Sequence, residues 1–266
     1  MIHAKDIKEN YIRNYPSAFC PGCGDGMVLN AMSRAVEKSG INRKKVVAVS
    51  GIGCAAWIPS PYWKVDTLHT THGRAIPHAT GLKVGNKDLE VMVVSGDGDC
   101  AGIGGNHLLH AARNNIDLNV LMVNNGLYAM TGGQVAPTTE HGERTLTTPY
   151  GNPSQGIDIC NVVKHAGASH VARWTTYHMN GMIEEIEKAM DTKGFSFIEI
   201  LSQCPTRTGK KEGLSGIDML ELYKDNTTEQ KDSEGIYVGE IHYVERPELT
   251  EEIYKQIIEQ GGEPIC

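Results

Sequence analysis

Leu89-Glu90-Val91-Met92-Val93-Val94-Ser95-Gly96-Asp97-Gly98-Asp99 opens a stretch that ends on Asn124-Asn125-Gly126 and decides the fold. Leu89 to Val94 is a short apolar run with the character of a buried strand. Ser95 to Asp99 is a turn dense in glycine and acid. Ala101 to Arg113 fits a helix, and Leu118 to Val123 is a second apolar run. Strand, helix, strand at this spacing is a βαβ unit, so the two strands run parallel and share one carboxyl edge. Open α/β sheets bind ligands at that edge. Asp97 and Asn125 stand at the two strand ends, where a carboxylate and an amide oxygen are hard donors suited to Mg²⁺.

Gly96-x-Gly98-x-x-Ala101 also matches a dinucleotide fingerprint. That reading wants an acid at the end of the second strand, where Asn124 and Asn125 stand instead, while Asp117 precedes the strand. A bare structural turn is a third reading. The spacing of GDG and Asn resembles the thiamine diphosphate motif, in which Asp, Asn and a backbone carbonyl two residues on hold a magnesium diphosphate. Those positions are Asp97, Asn125 and Leu127.

Composition narrows the class. The 266 residues are 40% apolar and 21% charged, enough for a sizeable core. A net charge of −7 disfavours nucleic-acid binding. No apolar run approaches the ~20 residues of a membrane helix, and the polar N-terminus is no signal peptide. These features point to the cytoplasm, where seven cysteines are ligands or core residues rather than disulfides.

Cys20-Pro21-Gly22-Cys23 precedes a helical pattern, Met27 to Ser39. The pair is open to three readings: two small buried thiols, a redox dithiol, or two ligands of a four-thiolate site. No strand precedes it, as a thioredoxin-like fold requires. Lys45 to Ser50 is the next strand, and Gly51-Ile52-Gly53-Cys54 turns at its carboxyl end in a geometry that suits phosphate. Phe195 to Leu201 is another strand, ending Ser202-Gln203-Cys204. Cys20, Cys23, Cys54 and Cys204 therefore make a candidate set of four thiolates, suited to zinc or an iron–sulfur cluster. The wide spacing fits a cluster built into a domain body. Cys100, Cys160 and Cys266 fall outside the set. His69, His72 and His78 suggest zinc only weakly, because no further ligand has a typical spacing. His72 at a helix mouth is better placed to donate to a phosphate or a reactive centre.

The irregular run to about Gly156 has the length of a functional loop or lid. Residues 1–210 are expected to form the main domain. Residues 211–266, with a short strand and a charged helix, Glu248 to Gln260, have little core of their own and are expected to pack on the domain or on a partner.

C-P-G-C-G, S-G-I-G-C, T-T-H-G-R-A, G-D-G-D, I-G-G-N-H, N-N-G-L-Y-A-M-T-G-G-Q and S-Q-C-P-T occur in this order between about residues 15 and 210. Together they resemble the beta subunits of the 2-oxoacid:ferredoxin oxidoreductases, and most of all the 2-oxoglutarate type. The resemblance implies an α/β thiamine diphosphate-binding fold, with a mostly parallel sheet and helices on both faces. It implies thiamine diphosphate contacts at Ile52, Gly53, Cys54, Ala55, His72, Gly73, Gly98, Asp99, Ala129 and Met130, with His72 nearest the chemistry. It implies Mg²⁺ on Asp97, Asn125 and Leu127, and a [4Fe–4S] cluster on Cys20, Cys23, Cys54 and Cys204.

The implied reaction is oxidative decarboxylation of a 2-oxoacid to acyl-CoA and CO2, with electrons leaving through the cluster to ferredoxin, or its reverse. An alpha subunit, with or without smaller subunits, is implied as partner and as donor of the activating glutamate. Four positions bear on the substrate and the diphosphate. Ala55 and Ala56 replace two serines, and neither Trp57 nor Gly132 offers a cation for a distal carboxylate. Pyruvate or a branched 2-oxoacid is therefore the alternative substrate. A non-catalytic electron-transfer subunit and a nicotinamide dehydrogenase are the alternatives of other classes.

Overall fold

A computed structural model describes residues 3–263; Cys266 lies outside the described residues. The chain begins with two helices, α1 (Ala4–Tyr11) and α2 (Asp25–Ser39), before the first strand, β1 (Val46–Ser50). Then come β2 (Asp66–His69), α3 (Ala75–Gly85), β3 (Glu90–Gly96), α4 (Gly105–Asn114) and β4 (Leu118–Asn124). A small hairpin, β5 (Leu127–Tyr128) and β6 (Gln134–Val135), opens the long irregular run. After it follow α5 (Ile159–Ala166), β7 (His170–Thr175), α6 (Met179–Asp191) and β8 (Phe195–Leu201). The tail holds α7 (Lys210–Glu212), α8 (Gly216–Asn226), the pair β9 (Thr227–Thr228) and β10 (Ile236–Tyr237), β11 (Gly239–Tyr243) and α9 (Leu249–Glu259).

The main sheet has seven strands in the order β11-β7-β8-β4-β3-β1-β2. All pair in parallel except β11, which runs antiparallel to β7. Its central strands are apolar on both faces, as a sheet covered twice requires. In β3, Met92 and Val94 join one core with α2 and α6, while Val91 and Val93 join a second core with α3, α4 and α5. The α/β class and the parallel sheet are those of the sequence reading.

From β1 the chain crosses to β2 on one side, and from the neighbouring β3 to β4 on the other. The turns leaving β1 and β3 diverge there and open a crevice at the carboxyl edge.

Local departures have local causes. The helix expected from Ala101 starts at Gly105, because Gly98–Ile103 forms a π-helical turn first. This run of glycines and acids is a poor α-helix former. The tail contributes to the body: β11 covers the β7 edge, and Tyr254 donates to the Val84 carbonyl at 2.9 Å. Among the described residues no helix is long and apolar enough to cross a membrane.

Glu248 fastens α9 to the domain. Its buried carboxylate accepts from the amides of Thr250 and Glu251, both at 2.9 Å, and of Asp117 at 3.0 Å. Glu248→Ala leaves these donors unpaired and should cost about 1–3 kcal/mol. A melting temperature lowered by a few degrees, with the secondary structure unchanged, is the expected result by calorimetry and circular dichroism.

Candidate functional site

The crevice between β1 and β3 holds a cavity of about 80 Å³. The turn after β1 contributes Ile52, Gly53, Cys54 and Ala55. The turn after β3 contributes Asp97, Gly98 and Asp99, and the segment after β4 contributes Asn125, Leu127, Tyr128, Ala129, Met130 and Thr131. His72 enters from the mouth of α3. Gly53 sits at φ +126° with open space where a Cβ would point. The backbone there is free to approach a ligand closely.

Asp97 is 1% exposed. Thr138 Oγ1 donates to it at 2.5 Å, and the Asn125 and Gly98 amides also face the carboxylate. Burial outweighs these donors and pushes its pKa up to about 6. Asn125, whose Oδ1 accepts from the Leu127 amide at 3.1 Å, lines the same cavity as this carboxylate, and the two together are a hard-donor set that a divalent cation would complete. Asp97, Asn125 and the Leu127 carbonyl therefore fit the magnesium end of a diphosphate.

Asp99 is used differently. Its carboxylate accepts from the Ile52 amide at 3.3 Å, the Gly73 amide at 2.7 Å and Ser95 Oγ at 2.5 Å. His72 Nδ1 lies 2.6 Å from Asp99 Oδ1, an ion-pair distance, but the ring is not aligned for a hydrogen bond. A Cβ on Gly51 would fall 2.0 Å from Asp99 Oδ2, so the clamp demands glycine there. Gly73, one of the contacts implied by resemblance, does not line the cavity, and its amide is spent on Asp99. Tyr128 closes the glycine turn. Its hydroxyl donates to the Gly98 carbonyl at 3.1 Å, and a Cβ on Gly98 would meet its ring at 2.3 Å.

Cys20, Cys23, Cys54 and Cys204 converge on an adjoining cavity of about 140 Å³, together with Asp25, Trp57 and Met130. Cys54, Asn125 and Met130 line both cavities. Burial raises the thiols of Cys23, Cys54 (to about 11) and Cys204. The Arg207 and Thr208 amides face the Cys204 sulfur.

Zn–S bonds of about 2.3 Å put tetrahedral sulfurs roughly 3.8 Å apart. Among the described residues, no three of these sulfurs lie within 4.8 Å of one another. As placed, the thiols are not drawn together as a zinc site would hold them, and a set of four thiolates on one cavity is also the donor set of an iron–sulfur cluster.

The other histidines are occupied singly. His69 Nδ1 is 3.0 Å from Ser50 Oγ, and His78 Nδ1 is 2.8 Å from the Arg74 carbonyl. Cys100 and Cys160 are buried core residues. Sequence reasoning passed over Asp25, Tyr128 and Thr138. Asp25 is 2% exposed, with Oδ2 unpartnered, and its pKa is pushed up to about 6 by burial. Its only signal in the sequence is its place two residues after Cys23. Thr138 carries none, because it reaches Asp97 from an irregular loop.

Residues 51–200 match the model of the thiamine pyrophosphate enzyme C-terminal TPP binding domain. The chain is 45% identical to the 2-oxoglutarate synthase subunit KorB of Methanothermobacter marburgensis, over 97% of this chain and 95% of that one. It is 41% identical to the beta subunit of a Sulfolobus 2-oxoacid:ferredoxin oxidoreductase, over 71% of this chain and 62% of the relative. Among solved structures it superposes with a TM-score of 0.88 on a chain of 2-oxoglutarate:ferredoxin oxidoreductase from Magnetococcus marinus, a complex with 2-oxoglutarate, coenzyme A and succinyl-CoA bound. That match has 32% identity and covers 96% of this chain and 91% of the other.

The electrostatics of Asp97 carry a signed expectation. With its pKa raised in the folded state, the cofactor-free fold binds more protons than the unfolded chain between about pH 4 and 6, so stability falls as pH rises through that window. Asp97→Asn removes the penalty. At pH 7 the cofactor-free variant should melt above the parent, while Mg²⁺-dependent thiamine diphosphate binding is lost. A variant that melts lower and still binds would refute this account of Asp97.

Proposed function

This chain belongs to the beta subunits of the 2-oxoacid:ferredoxin oxidoreductases, and from that premise we propose that it converts 2-oxoglutarate and coenzyme A to succinyl-CoA and CO2, passing the electrons to ferredoxin through its own [4Fe–4S] cluster. The thiamine diphosphate domain and the kinship to 2-oxoglutarate enzymes support oxidative decarboxylation of a 2-oxoacid. The single observation that carries the redox part is the adjacency of the two cavities, joined by Cys54, Asn125 and Met130. A thiamine enzyme that only decarboxylates has no use for four thiolates beside its cofactor.

Thiamine diphosphate, when bound, supplies the electron sink that decarboxylation of a 2-oxoacid requires. The chain's own residues hold and orient it. Asp97, Asn125 and Leu127 would fix the magnesium diphosphate, and the Gly98 turn lets backbone come close to it. Ile52, Gly53, Cys54 and Ala55 would form one wall, and Ala129 and Met130 the opposite one. His72, with its side chain one-third exposed, is placed to hold a proton at the mouth of the cavity. Asp99 acts through the turns it ties together and so is a positioning residue. Cys20, Cys23, Cys54 and Cys204 would ligate the cluster.

Catalysis is proposed to need the alpha subunit, because the acids lining the cavity among the described residues, Asp97 and Asp99, are assigned to the magnesium end and to the clamp, which leaves none to activate the aminopyrimidine. The cation for a distal carboxylate is likewise assigned to that partner, because Trp57 and Gly132 carry no charge. Residues 1–210 are proposed as the cofactor-binding unit, with residues 211–266 as its brace.

Anaerobic purification with the alpha subunit should yield about four irons and one thiamine diphosphate per copy. The complex should reduce a viologen dye with 2-oxoglutarate, and more slowly with pyruvate. Cys204→Ser should retain thiamine diphosphate while losing iron and dye reduction. Zinc in place of iron would overturn the redox half of the proposal, and a complex that keeps the cluster without 2-oxoacid turnover would make the chain an electron-transfer subunit alone.

A further inference from the structure

A third cavity, of about 450 Å³, opens beside the other two. It shares Leu127 with the proposed cofactor cavity and Thr206 with the four-cysteine cavity. Its wall carries Arg144, Arg207, Lys210 and Lys211, with the hydroxyls of Thr206 and Thr208. The whole chain has a net charge of −7, so this wall reverses the prevailing sign.

The positive charge is only partly compensated. Lys211 lies 3.1 Å from Glu212 and 3.9 Å from Glu143, and it also donates to the Arg144 carbonyl. Arg207 gives Nε to the Ala129 carbonyl at 3.0 Å and lays its aliphatic carbons along Gly133. That contact fixes the arm and leaves the outer guanidinium nitrogens to a ligand. Among the described residues, Arg144, Arg207 and Lys210 have no acidic partner.

The charge balance selects the ligand. One carboxylate brings a single negative charge to three uncompensated cations. A phosphate monoester carries about −1.5 to −2 near neutral pH and has three acceptor oxygens, which guanidinium, ammonium and hydroxyl donors can share. We propose that this cavity is a phosphate-binding site, with Arg207 and Lys210 as its main charge partners. Its ligand is either the phosphate-bearing end of the acyl acceptor coenzyme A or a free phosphate compound. The first source rests on the function proposed above; the site itself does not. Arg207 also connects the site to the cluster loop, because its amide faces Cys204 while its side chain faces the ligand.

The test uses the holo-complex with thiamine diphosphate loaded. Adenosine 3′,5′-bisphosphate is titrated calorimetrically into the parent and into Arg207→Gln, Arg207→Lys and Lys210→Gln. Each Gln variant should weaken binding about tenfold, the loss expected for one charge-assisted contact, and Arg207→Lys should recover part of it. If the KM for coenzyme A rises in parallel while the KM for 2-oxoglutarate and the thiamine content hold, coenzyme A is the source. If binding weakens with the KM for coenzyme A unchanged, the ligand is a free phosphate compound. Absent binding, binding indifferent to both Gln variants, or a rise in the KM for 2-oxoglutarate alone would overturn the proposal. Failure of the parent complex to turn over any 2-oxoacid would defeat the functional reading and leave the titration to decide the site.

Discussion

The Asp99 carboxylate holds the site together. Three segments meet at it: the turn after β1 through the Ile52 amide, the mouth of α3 through the Gly73 amide, and the end of β3 through Ser95. The β1–β3 ladder ends at the pair Ser50 and Val94, and beyond it these segments diverge with no further ladder between them. A buried carboxylate accepting several hydrogen bonds is a strong tie, and a costly one to break. Gly51 has no side chain to push the carboxylate away. The clamp sets where Gly53, Cys54 and His72 stand relative to Asp97. It therefore sets the shape of both neighbouring cavities without Asp99 having to touch a ligand.

Asp97, two residues earlier, is the electrostatic opposite. Asp99 is saturated by protein donors, whereas Asp97 stays uncomfortable in its burial, with its pKa pushed up to about 6. A fold optimised for stability alone would put a neutral residue there. Keeping a carboxylate is intelligible if something positive is to sit beside it, and functional sites commonly store such costs. The four thiols have the same logic. Burial raises three of them, so the fold disfavours their thiolates unless something positive compensates.

The sheet was legible because its strands are buried on both faces and so appear as unbroken apolar runs. The exceptions follow from the same physics. β2 is an edge strand, and in Asp66-Thr67-Leu68-His69 the single apolar residue, Leu68, is exposed, so no apolar run marks it. β11 is half-exposed and pairs with β7 across a long separation that no local pattern reports. In the mostly polar α1, only Ile7 and Tyr11 are buried, a stripe too thin to stand out. In the site, Cys54, Cys204 and the Asp97–Asn125 pair were legible because they stand at strand ends, and Cys20 and Cys23 because a C-x-x-C pair is a signal in itself. Thr138, Tyr128 and the true partners of Asp99 were not, because each depends on how a loop returns to the sheet.

That return explains why the long run after β6 is ordered despite lacking helices and strands. Thr139 donates to the Gly126 carbonyl, Thr138 to Asp97, and Asn152 to the Thr139 carbonyl. Side-chain bonds of this kind replace the backbone ladder that the segment lacks. They anchor it at the residues that border the site, Gly126 and Asp97, while Leu146 and Tyr150 point outward, 65% and 99% exposed. An apolar surface of that kind on a rigidly anchored loop, in a chain whose kin work as subunits, suits contact with another subunit better than motion over an open active site. On that argument the segment braces the site from behind: it ties to Asp97 and Gly126, while the cavity itself is lined only as far along the chain as Thr131.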